Sequence, residues 1–466
     1  MNRRAVLALC LLCAPPAWGR DNLERFKRET REHLKALIRI DTSNPPGNEL
    51  EAARYLKGVL DKEKIPSVIR VSTGTRASLI ARLKGTGAKP PLILMCHTDV
   101  VPADPKEWAT PPFEPVEKDG YLYGRGSADI KCMCAVELAL LTHLARAKTR
   151  LERDLIFFAE ADEESGGTDR HIEWLLKNHG SDLEAAYAIN EGGNTIWSDG
   201  RVSEIRVQAA EKEYLDLTLT VRGQAGHSSV PRADNPISIL AKAVDRLSEH
   251  RTKADLQPVT RGFFETQAEL SQGELRAALR GVLEAEPAEL DAASRRLERA
   301  QPEFSAMLRD TLSPTILQAG YKSNVIPAEA KAVFNARLLP GRDPRAFIAD
   351  LALAVANPAV EIRFDPSARP PVAAMPVDTP LFDAVEAAGR ESAPSARVMP
   401  FMAAWSTDSQ ELRARGVLVY GLDPPLSPED GERVHGKDER ISLAALDWYA
   451  GFLRSVVIKI AAGKKR

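Results

Sequence analysis

Several common signals are weak or missing in this sequence. Of 466 residues only five are cysteine, aromatic residues make up 6%, and the formal net charge is −2. Without a basic excess, electrostatic nucleic-acid binding is excluded as a main activity, which leaves small molecules or peptides as partners. No internal repeat and no low-complexity tract occurs. The apolar run Ala5–Cys13 has nine residues, too few to span a bilayer. Two of the cysteines, Cys10 and Cys13, lie in that run. The remaining three, Cys96, Cys132 and Cys134, are an odd set with two members nearly adjacent, which is no disulfide framework. The sequence therefore predicts three buried free thiols.

What is present is an ordinary globular balance, 44% hydrophobic and 27% charged. That is enough for a large core, and the length suggests two domains or one domain with a large insertion. The basic start Met1-Asn-Arg-Arg4, the short apolar run, and small residues at Ala17 and Gly19 read as a secretory leader over 1–19. Export to a periplasmic or extracellular space follows as an expectation, with no membrane association once the leader is removed.

The organising stretch is Leu92-Ile-Leu-Met-Cys-His-Thr-Asp-Val-Val101. Its unbroken apolar run suits a strand buried on both faces of a parallel sheet. His97 and Asp99 then fall at the strand's carboxyl end, where open α/β sheets place ligand sites. The same arrangement recurs. The apolar strand Asp154–Glu160 runs into Asp162-Glu163-Glu164, and Ala185–Ile189 delivers Asn190-Glu191. Asp129 follows the glycine-braced turn Gly124-Arg-Gly-Ser127 and precedes a helix, Cys132–Ala145, whose His143 is read as a surface residue. From about Glu211 the pattern alternates apolar and polar, as in a half-exposed antiparallel sheet. The expected plan is a first domain over 20–210 and 368–466, interrupted by an α+β unit over 211–367 that includes a helical stretch at 251–310.

One nitrogen ligand with several carboxylates at one sheet edge is the composition of a hydrolytic zinc pair. Two divalent ions need a shared ligand and terminal ligands on either side. Asp129, short and held by a rigid turn, suits the bridge. His97 and His435 can cap one metal each, and Glu164 and Glu191 supply further oxygens. Glu163 and Glu164 are adjacent and cannot easily bind the same ion from the same side, so one of the two is free for proton transfer.

These motifs carry a resemblance. Met95-Cys-His97-Thr-Asp99, Tyr123-Gly-Arg-Gly-Ser-Ala-Asp129-Ile-Lys131, Glu163-Glu164-Ser-Gly, Asn190-Glu191-Gly, Gly226-His227-Ser228, Asn324-Val-Ile-Pro327 and Val434-His435-Gly436 resemble, in family order, the M20 metallopeptidases and amidohydrolases. That group includes aminoacylase-1, glutamate carboxypeptidase and carboxypeptidase S. The resemblance implies an α/β fold: a mostly parallel-sheet, di-zinc exopeptidase-like catalytic domain with an inserted α+β lid of the dimerisation type. It implies two Zn2+, with Co2+ or Mn2+ able to stand in. His97, Asp129 and Glu191 would hold one ion, and Asp129, Glu164 and His435 the other. Glu163 would be general base and acid, and Asp99 would orient His97. His227 would stabilise the carbonyl oxygen, in its own site or a neighbouring subunit's. Asn324 and Arg337 would hold the substrate. Cys132-Met-Cys134 stands where the family usually has small residues.

The expected function is zinc-dependent cleavage of an amide or peptide bond next to a free carboxylate, on a short peptide or an N-acyl amino acid. The alternatives are a deacetylase or desuccinylase of amino-acid biosynthesis and a non-catalytic binding protein on the same fold. A homodimer through the lid is a further expectation.

Overall fold

The computed structural model describes residues 17–165, 170–364 and 371–462. The expected leader falls mostly on 1–16, outside the described residues. Residues 17–19 open the first helix, Ala17–Ile38.

The main sheet has the strand order Ser67–Thr73, Arg76–Leu83, Leu155–Glu160, Leu92–His97, Tyr187–Asn190, Leu418–Gly421, Arg201–Glu211, Arg397–Ala403. The four central strands, from Leu155–Glu160 to Leu418–Gly421, run parallel. All six residues of Leu92–His97 are buried. Leu92, Leu94 and Cys96 pack on one side with the helices Lys131–Arg146 and Leu443–Ala461, while Ile93 and Met95 pack on the other with Ile172 and Leu175 of His171–His179. Helices on both faces explain why this strand reads as continuous rather than alternating apolar sequence.

Strand alternation also corrects the cysteine reading. Cys96 faces the helix that begins at Lys131, and Cys134 faces back from that helix's first turn. The two form a disulfide with a Cα–Cα separation of 5.4 Å, an ordinary spacing for such a bond. Among the described residues Cys132 alone is a free, buried thiol. His143 is half-buried rather than a surface residue. Its ring lies 5.2 Å from that of Phe26, and Arg454 Nε approaches to 3.2 Å.

A second sheet is antiparallel, ordered Thr311–Ala319, Glu329–Leu338, Glu213–Arg222, Val360–Phe364. It has its own core. Leu215, Leu217, Leu219 and Val221 alternate inward against Phe334, Leu240 and Phe347, under the helices Pro236–Glu249 and Pro344–Val355. The helical stretch that the sequence grouped with this unit packs elsewhere. Val259, Phe263, Phe264, Leu279, Leu297 and Phe304 join the core of the main sheet, and Phe263 meets Phe401 edge-on at 5.5 Å. The reason is the strand Arg397–Ala403, which the sequence pattern did not reveal. It leaves an apolar flank that these helices cover. The expected lid limit at 367 lies outside the described residues.

Candidate metal centre and active site

Parallel strands place their carboxyl ends on one edge, so the residues that follow them converge. His97 ends its own strand. Glu163 and Glu164 sit on a single helical turn, Glu163–Ser165, just past Leu155–Glu160. Glu191 follows Tyr187–Asn190, and Asp423 follows Leu418–Gly421. Asp129 reaches the same edge from the turn before Lys131–Arg146. Gly126 makes that turn possible: its φ is +84°, and a Cβ there would lie 2.7 Å from Lys131, so only glycine suits the position.

The distances define two half-sites sharing one carboxylate. Asp129 Oδ1 lies 3.3 Å from His97 Nε2, and Asp129 Oδ2 lies 2.9 Å from His435 Nε2. His97 Nε2 is also 3.7 Å from Glu191, and His435 Nε2 is 3.1 Å from Glu164. Ligand atoms of His97, Asp129 and Glu164, and again of His97, Glu163 and Glu191, fall within 4.8 Å of one another. The six side chains expected from sequence to bind metal or move a proton are thus together.

Asp99 lies beneath them, fully buried. Its backbone carbonyl is 3.0 Å from His97 Nδ1, nearer than its carboxylate at 3.6 Å. A proton on Nδ1 leaves the Nε2 lone pair facing the ligand cluster. The Asp99 carboxylate has a second partner set. It accepts the backbone N–H groups of Asp162, Glu163 and Glu164 at 3.0–3.2 Å and Asn44 Nδ2 at 2.8 Å. Asp99 therefore holds the turn that presents both glutamates. Asp162 in that turn has a left-handed φ of 78°. It is fixed by Arg76, Asn44 and the His171 N–H.

The charges suit divalent cations. Burial raises Glu163, and neighbouring Glu191 raises it further, well above the usual carboxylate range. Burial raises Glu191 as well. Burial opposes charging His97, but Glu191 and Asp129 outweigh it and hold the imidazole well above its ordinary value. His435 is pushed up to about 10 by its contacts with Asp129 and Glu164. Crowded carboxylates that hold protons, beside imidazoles that do the same, are groups that cations would relieve. Donors of two imidazoles and several carboxylates match hydrolytic divalent sites.

The cluster opens on a cavity of about 1330 Å³. Arg337 and Tyr214 of the antiparallel sheet line it together with Leu215, Trp405, Ile196 and Leu426. The Arg337 guanidinium stacks 4.6 Å over Tyr214, and its Nε reaches Asn335 at 3.2 Å. His227 and Asn324 are placed differently. His227 pairs with Val325 in a two-stranded ribbon; His227 and Asn324 are exposed, and neither of these two lines the cavity.

Sequence reasoning passed over Asp423, Arg125 and Glu439. Asp423 carried the same signal as His97, an acid after an apolar parallel strand. Glu439 carried none, because its partners are largely backbone N–H groups.

Known proteins share the sequence pattern and the fold. The pattern of peptidase family M20/M25/M40 matches residues 93–459. A Xenopus tropicalis protein named N-fatty-acyl-amino acid synthase/hydrolase PM20D1 is 29% identical, covering 96% of this chain and 91% of that one. A probable carboxypeptidase S-like 2 from Dictyostelium discoideum is 26% identical over 82% of this chain and 74% of that one. Among solved structures, an M20 family metallo-carboxypeptidase from Sulfolobus solfataricus superposes with a TM-score of 0.67 at 21% identity, covering 92% of this chain and 99% of that one. Human carnosine dipeptidase 1 gives 0.63 at 18%, covering 95% and 99%. With its ligand cluster on the carboxyl edge and its pattern matched from 93 to 459, the chain belongs to peptidase family M20/M25/M40 and is a metal-dependent amide-bond hydrolase.

Proposed function

We propose that this protein is an exported di-zinc hydrolase that cleaves N-acyl amino acids beside the free carboxylate. The observation that carries this reading is the ligand cluster facing Arg337 across one cavity whose walls include Tyr214, Leu215, Trp405, Ile196 and Leu426. Arg337 forms no ion pair among the described residues, so its planar fork is available to a substrate carboxylate. The apolar wall suits an acyl group, in keeping with the name of the Xenopus relative. A carboxypeptidase acting on short peptides is the second reading, favoured by the Dictyostelium relative's name.

His97, Asp129 and Glu191 would hold one zinc, and Asp129, Glu164 and His435 the other. Bound there, zinc would supply Lewis acidity toward the carbonyl and a more acidic water. Glu163 takes the proton of the attacking water and returns it to the leaving nitrogen. Burial keeps Glu163 basic enough for both transfers. Asp99 holds Glu163 in place through the backbone of its turn. His227 donates to the developing oxyanion. Because His227 and Asn324 lie exposed on a ribbon, they act from a second copy of the chain. Exposed Leu317, Tyr321 and Val230 on the same unit supply an apolar surface for that contact.

Among the described residues no helix is long and apolar enough to cross a membrane. Export rests on the sequence of the first 19 residues. A substrate panel on the zinc-loaded protein tests the assignment. N-acyl amino acids should be hydrolysed faster than dipeptides, and capping the carboxylate as an amide should lower kcat/KM about tenfold to a hundredfold. Equal rates on capped and free substrates would overturn the role of Arg337.

A further inference from the structure

Beneath the ligand cluster, Glu439 and Arg125 form a buried pair that joins two segments 314 residues apart in sequence. Glu439 is fully buried and Arg125 nearly so. One Glu439 oxygen accepts Arg125 at 2.6 Å and the N–H of Gly126 at 3.2 Å. The other accepts the N–H groups of Ala128 at 2.7 Å and Asp129 at 3.0 Å. Arg125 in turn donates to the carbonyls of His435, at 3.3 Å, and Gly436, at 2.9 Å. Trp108 lies 5.1 Å from the guanidinium.

The two segments joined in this way carry the shared ligand Asp129 and the terminal ligand His435. His435 needs outside support. It has a left-handed φ of 61°, and its side chain is 54% exposed. Its own carbonyl is among the groups Arg125 grips. His435 itself lies outside any strand, and the strand that follows its loop, Arg440–Ser442, pairs with Tyr121–Tyr123. By contrast His97, Glu164 and Glu191 sit at or just past the ends of buried strands.

We propose that Arg125 and Glu439 are positioning residues that set the distance between Asp129 and His435, and so set the affinity of the second cation site. This rests on the di-metal reading above. Neither residue faces the cavity, so neither touches substrate. A planar guanidinium is required, because one side chain must reach Glu439 and two carbonyls at once. Residues that orient metal ligands typically change metal affinity ten- to a hundredfold when altered.

The test is calorimetric titration of the metal-free full chain with Zn2+, with circular dichroism as the check on folding. The parent should bind two ions. Glu439→Gln and Arg125→Lys should each weaken one ion at least tenfold and leave the other within about threefold. Excess Zn2+ should restore kcat with KM unchanged, an outcome that general loosening of the fold would not give. Glu439→Asp, which keeps the charge but shortens the reach, should fall between parent and Glu439→Gln.

Unchanged zinc affinity in a folded variant would overturn the proposal while leaving the metal centre intact. A parent that takes up no Zn2+ would instead sink the metal-centre reading. If Glu439→Gln fails to fold, Arg125→Lys and Glu439→Asp decide. Failure of all three to fold would also overturn the proposal, since the pair would then be a folding element.

Discussion

The ligand edge of the main sheet and the ribbon carrying His227 are built in opposite ways. At the ligand edge, buried parallel strands fix the backbone, and buried acids such as Asp99 and Glu439 fix the turns between strand and ligand. Those side chains meet without help from outside the chain. The ribbon has two short strands, Gly226–His227 and Val325–Ile326, and an exposed histidine. Around His227 the contacts among the described residues are local: its ring accepts the Ser229 N–H at 3.2 Å. Nothing in its surroundings directs it to the cavity. The first region is organised within the chain; on the reading proposed above, the second would acquire its role only when another copy meets it.

Removing metal should affect the first region most. Chelation should abolish hydrolysis, and Zn2+ should restore it; full activity in chelator would end the metal reading. Next in size, Glu163→Gln should lower kcat by about 10²–10⁴-fold with zinc content unchanged. A loss of zinc instead would make Glu163 a ligand. His227→Ala should cost about 10²–10³-fold without altering metal binding. Mixing His227→Ala with Glu163→Gln chains should recover part of the activity, since some sites in mixed dimers would hold both intact groups. No recovery would place His227 in its own chain's site, or outside catalysis.

Smaller still, Arg337→Gln should reduce kcat/KM about tenfold to a hundredfold. The loss should appear on substrates with a free carboxylate and vanish on amide-capped ones. The mildest test concerns pH. In the metal-free chain the pKa of His435 is raised, from 6.5 to about 10. Its contribution to stability is therefore complete below about pH 6.5 and is lost as pH rises through about 10. Metal binding requires the neutral imidazole, so zinc must displace protons. Zinc affinity should thus be higher at about pH 8 than at about pH 6. Equal affinity at both would mean that His435 does not bind the ion.

The ligand edge was legible because parallel strands write themselves as apolar runs ending in acids or histidine. Leu92–His97 and Leu155–Glu160 do so, and Tyr187–Asn190 is followed at once by Glu191. Arg201–Glu211 was not legible because charged and polar residues break its pattern, and Arg397–Ala403 because Pro400 sits within its apolar run. Missing them hid the surface that Phe263 and Phe264 cover, and with it the place of the helical segment. The Cys96–Cys134 bond was hidden for a different reason. Residue spacing shows neither which face of a strand a thiol occupies nor which helix lies against it. Glu439 was invisible because backbone N–H groups leave no trace in a sequence.

The contacts of Glu439 with the N–H groups of Ala128 and Asp129 also span 311 and 310 residues of sequence. Bringing such distant segments together carries a loop-closure cost that contacts between sequence neighbours escape. The shape of the turn at Asp129 therefore depends on the fold of the chain as a whole rather than on the helix that follows it.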